Sequence, residues 1–89
     1  MLGIKYNEGL DNCSKINILY GILDIINNVK NAQKPAIASF WFSTLRNSII
    51  GYYGNKEFYK TCFACQGWIT TANKFEKKIK SDILRLENQ

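Results

Sequence analysis

From Phe58 to Leu86 the apolar residues return every three or four positions: Phe58, Cys62, Cys65, Ile69, Ala72, Phe75, Ile79, Ile83 and Leu86. That spacing is the period of one α-helical face, sustained over about thirty residues, or roughly 45 Å if unbroken. Gly67 and the β-branched pair Thr70–Thr71 are its weak points, so the segment either bends there or projects beyond its neighbours. A projecting end would carry Ile79, Ile83, Leu84 and Leu86, a natural contact between two copies. Residues 48–71 are also rich in β-formers, and Gly54–Asn55 can turn a hairpin. The period of three to four favours helix over alternating strands.

The rest of the chain reads the same way. Between Lys15 and Lys30 the polar positions Asn17, Gly21, Asp24 and Asn28, continued by Asn31, form one narrow stripe. A helix apolar around the remainder of its circumference is buried on several sides and belongs at the centre. Asn12 or Ser14 is the expected cap at its start. Residues 31–34 break the pattern, and Pro35 suits the first turn of a second helix, expected from Pro35 to about Tyr53 with Gly54 beyond its end. Phe40, Trp41 and Phe42 sweep about 200° around that helix, more than one neighbour can cover. Residues 1–12 hold no period and read as a loosely attached arm. The expectation is an all-α fold: one domain over residues 1–89, a small antiparallel bundle of three main helices with the C-terminal one long.

Aromatic residues make up 13% of the 89 residues. A domain this small buries only about 60–65% of the surface its unfolded chain exposes, so some of these rings are expected to meet a partner. The best contacts by residue type are Trp41, Phe42, Tyr52, Tyr53, Tyr59 and Trp68, because Trp and Tyr dominate interface hot spots. The net charge of +5 is spread along the chain; it argues against an acidic mimic of DNA. Lys74, Lys77, Lys78 and Arg85 gather in the C-terminal segment and offer an alternative role, binding the phosphates of a nucleic acid or a small nucleotide.

Chemistry is sparse. The chain has no histidine, which removes the commonest general base and metal ligand. Cys62 and Cys65 form a Cys-x-x-Cys pair, but Cys13 supplies only a third thiolate, and both lie on the apolar period where Cys packs as a small hydrophobe. No phosphate-cradling loop or nucleophile elbow is present. Neither catalysis, a metal nor a cofactor is expected. No apolar run is long enough to span a bilayer, and neither a leader nor a disulfide framework is visible, which makes the cytoplasm the default compartment. The expected function is protein–protein interaction: a small inhibitor, immunity-type or adaptor protein that occupies another protein's surface and self-associates.

Overall fold

Asp11 opens the first helix. Its carboxylate accepts the Ser14 amide at 2.9 Å, and α1 then runs Asn12–Asn31. The cap therefore falls one residue before Asn12 and three before Ser14, the two expected positions. The Ser14 side chain and amide hold the Asp11 carboxyl below the usual carboxylate range. The computed structural model describes residues 9–61 and 67–88, and among these every regular element is helical.

The polar stripe of α1 faces solvent as expected: Asn17, Gly21, Asp24, Asn28 and Asn31 are all exposed. Leu19, Ile22, Ile26 and Val29 are buried on the opposite side. The three-residue link from 32 to 34 leaves no length for a crossover, so α2 (Pro35–Tyr53) returns antiparallel against α1. Lys34 is extended, as a residue before proline prefers, and Pro35 sits in the first turn. Gly54 ends α2 with φ 97°, a conformation that side chains with a Cβ rarely adopt, and its amide donates to the Ile50 carbonyl at 2.9 Å.

The segment expected to run helical from Phe58, with Gly67 as a weak point, holds two helices, α3 (Asn55–Thr61) and the long α4 (Trp68–Glu87), the second starting directly after an extended Gly67. Cys62 and Cys65 lie outside the described residues. α3 folds back on α2 and also touches α4. Its Phe58 is buried between two other rings, 6.4 Å from Phe42 of α2 and stacked at 5.8 Å on Phe75 of α4. Each such fully buried ring contributes roughly 1.5–3 kcal/mol. α4 buries Ala72, Phe75, Ile79, Ile83 and Leu86, the face its spacing predicts, while Ile69 at its first turn stays exposed.

α4 lies against α1 in the opposite direction. Lys30 near the end of α1 bonds Glu76 at 2.9 Å, while Tyr20 and Leu23 share a groove with Ile83 and Leu84. Glu76 also pairs with Lys80 at 3.4 Å, the contact that helical spacing predicts. The Lys30 bond, aided by Lys80, holds the Glu76 carboxyl below its ordinary range. α1 thus packs on both α2 and α4, the central position its polar stripe implied.

Candidate functional surfaces

Seven large apolar side chains remain exposed among the described residues: Tyr20, Ile37, Phe40, Tyr59, Trp68, Ile69 and Leu84. Four of them lie toward one end of the bundle, where α1 stops and α2 and α4 start. Ile37 and Phe40 stand on the first two turns of α2, and Phe40, 62% exposed, sets its ring at 5.2 Å and nearly perpendicular to Trp41. Trp68 and Ile69 occupy the first turn of α4. Beside them Val29, Pro35 and Ala38 complete an apolar notch of about 250 Å³, with Lys34 at its edge. Trp68 is fixed from beneath by Phe42, stacked at 6.2 Å, and keeps 39% of its surface in solvent. An indole held this way has little side-chain freedom left to lose if another surface covers it.

The aromatic residues singled out from sequence therefore separate. Trp68 belongs to this end surface, and Trp41 and Phe42 are partly buried and support it. Tyr59 is exposed on α3, edge-on to Phe58 at 5.1 Å. Tyr52 and Tyr53 are buried, at 4% and 8% exposure, with their rings 4.7 Å apart. Ile37, Phe40 and Ile69 were not singled out; the width of the aromatic arc in α2 was the available signal for Phe40.

A second, apolar groove of about 310 Å³ runs between α1 and α4, lined by Tyr20, Leu23, Ile83 and Leu84 and flanked by Lys80 and Glu87. A third recess, of about 260 Å³, is polar and lies where the ends of α2 and α4 meet the start of α1. Its floor is a buried bond in which the Tyr53 hydroxyl donates to Asp82 Oδ2 at 2.6 Å. Burial, reinforced by that bond and the Asp82 charge, pushes the Tyr53 pKa well above that of a free tyrosine. Arg85 Nη2 holds the other Asp82 oxygen at 3.1 Å, and Lys78 Nζ stands 5.0 Å from the centre of the Tyr53 ring. Lys15 comes in from α1 and Glu57 from α3. Asp82 thus faces inward to Tyr53 and Arg85 rather than pairing with Lys78 across the helix surface. Of the four basic residues chosen from sequence, Lys78 and Arg85 line this recess; Lys74 and Lys77 are exposed outside its lining.

Cys13 is exposed with a free thiol. Among the described residues no group of three or more Cys, Asp or Glu is placed to hold a metal ion. Among the described residues no helix is long and apolar enough to cross a membrane. No protein-family model, curated protein or solved structure matches the chain.

Proposed function

We propose that this chain is a protein-binding module of the inhibitor, immunity or adaptor kind, acting by seating its bundle end on a partner protein. The observation that carries the reading is the apolar notch that exposed Trp68 and Ile69 line with Val29, Pro35 and Ala38, with exposed Ile37 and Phe40 on the first two turns of α2 at the same end of the bundle. An apolar notch with a single charged residue on its rim suits a partner's apolar side chain entering it. Tyr59 and the supporting pair Trp41 and Phe42 are the remaining aromatic contacts of the proposal, whereas buried Tyr52 and Tyr53 act as framework.

Self-association belongs to the same reading, through the separate groove between α1 and α4. Lys80 and Glu87 lie two turns apart on α4 with Leu84 between them. Two α4 helices crossing antiparallel about a two-fold axis near Leu84 bring Lys80 of one copy to the partner's Glu87, and the reverse. Light-scattering mass tests this part: a dimer that Leu84→Glu converts to monomer supports it, and a wild-type monomer at high concentration refutes it.

The main reading is tested by affinity capture from cells of the source, comparing wild type with Phe40→Ser, Trp68→Ser and the control Tyr20→Ser. One protein retained by wild type and the control but lost with the first two variants is the expected result. Equal retention by all four, with far-UV circular dichroism unchanged, would overturn the assignment of the bundle end.

A further inference from the structure

The polar recess between the helix ends is independent of the protein-binding surface. Three cationic side chains converge on it from two helices that are remote in sequence: Lys15 on α1, Lys78 and Arg85 on α4. Their charge is incompletely answered. Asp82 is engaged on both oxygens, by Tyr53 at 2.6 Å and by Arg85 at 3.1 Å, so its charge is already shared. Lys78 rests over the Tyr53 ring instead of on a carboxylate, and Lys15 makes no ion pair among the described residues. Both lysines are partly buried, whereas Lys74 and Lys77 are exposed. Half-buried ammonium groups are partly desolvated and gain more from an arriving anion than exposed ones do. Glu57 is the one opposing carboxylate in the lining that no other side chain engages among the described residues.

We infer that this recess binds a small phosphate monoester, held by the Lys15 and Lys78 ammonium groups with the free edge of the Arg85 guanidinium. A phosphate monoester carries about −1.5 to −2 charge at neutral pH and three acceptor oxygens, which matches three cationic donors better than a singly charged carboxylate does. The volume, about 260 Å³, falls below the roughly 300–1,000 Å³ of pockets that enclose drug-sized ligands. The phosphate group and the atoms next to it therefore fill the site. Tyr52 and Tyr53, packed ring to ring beneath it, are too buried to stack a base, so specificity resides in the anion.

The test is a titration of isotopically labelled full-length protein with inorganic phosphate, glycerol phosphate, acetate and a short single-stranded oligonucleotide, followed by backbone amide shifts. The expected result is saturable shifts at Lys15, Glu57, Lys78 and Arg85 with the two phosphates, and none with acetate. Lys15→Gln and Lys78→Gln are each expected to weaken binding about tenfold or more, the loss of one charge-assisted bond. Glu57→Gln is expected to tighten it, a gain that damage to the fold does not produce. Saturation by acetate at equal concentration would overturn the choice of phosphate. Tighter binding of the oligonucleotide, with shifts spreading to Lys74 and Lys77, would overturn the monoester in favour of nucleic acid. Absence of shifts at any phosphate concentration, or shifts unchanged in both lysine variants, would overturn the site itself.

Discussion

Replacing Tyr53 with Phe removes one oxygen atom and leaves the ring where it is. The ring keeps its edge-on contact with Tyr52 at 4.7 Å and remains beneath Lys78. What disappears is the 2.6 Å bond to Asp82, a buried residue whose second oxygen is held only by the largely exposed Arg85. A hydrogen bond to a charged group contributes about 1.5–3 kcal/mol, and the exposure of Arg85 leaves it a weak substitute. The expected loss is about 2 kcal/mol at pH 7, or roughly 8–15 °C in Tm for a domain of this size. Urea unfolding followed by far-UV circular dichroism measures it directly. The pH dependence supplies an independent check on the sign. The hydroxyl pKa is raised in the folded state, so the native protein holds its proton more tightly than the unfolded chain does. Its contribution is complete below about 10, where an unfolded-chain tyrosine ionises, and declines as pH rises beyond that value. The gap between wild type and Tyr53→Phe should therefore be constant from neutral pH to about 9.5 and narrow above it. A difference below about 0.5 kcal/mol at pH 7, the scatter of ordinary surface substitutions, would refute the reasoning, as would a gap that widens in alkali.

Two other substitutions test the frame that presents the surfaces. Gly21 is exposed in the middle of α1, and a Cβ built there meets nothing within 4 Å; Gly21→Ala should raise stability by about 0.5–1 kcal/mol in the same urea assay. Glu76 is held by Lys30 and Lys80, and its lowered pKa means that its contribution is present above the unfolded-chain value and is lost as pH falls below about 4.3. Glu76→Gln should cost up to about 1 kcal/mol at pH 7, and that cost should shrink progressively as pH falls through the acid range, read from paired unfolding curves.

The helices were legible where local chemistry writes their ends and faces. Pro35 and Gly54 bracket α2 because one presets the first turn and the other takes a backbone angle closed to other residues. The polar stripe from Asn17 to Asn31 gave the solvent face of α1 and with it the central position. The break before α4 falls at Gly67, one of the weak points named from sequence, but whether the segment bends or stops there was not legible, for a physical reason. Apolar spacing records which residues face inward, not whether the helix is continuous, and Phe58, Ala72 and Phe75 face one core from both sides of Gly67.

The surfaces were legible only in part. A count of aromatic residues cannot say which ring points inward: α3 folds back on α2, and Tyr52 and Tyr53 are enclosed while Phe40, on the same helix, is not. Asp82 carried a signal that local pairing obscured, since it directly precedes Ile83 on the buried face of α4 yet also stands at ion-pair spacing from Lys78. Lys15 could not have been joined to Lys78 and Arg85 from sequence, because only the antiparallel packing of α1 on α4 brings them to one recess.

The most direct test of the protein-binding reading is photo-crosslinking from single positions in the intact protein, within cells of its source. A photoreactive phenylalanine analogue replaces Phe40 or Ile69 on the proposed contact surface, and Arg46, exposed elsewhere on α2, as the control. The account predicts a covalent adduct to the same foreign protein from positions 40 and 69 and none from position 46. Adducts of equal yield from all three, or from position 46 alone, would contradict it.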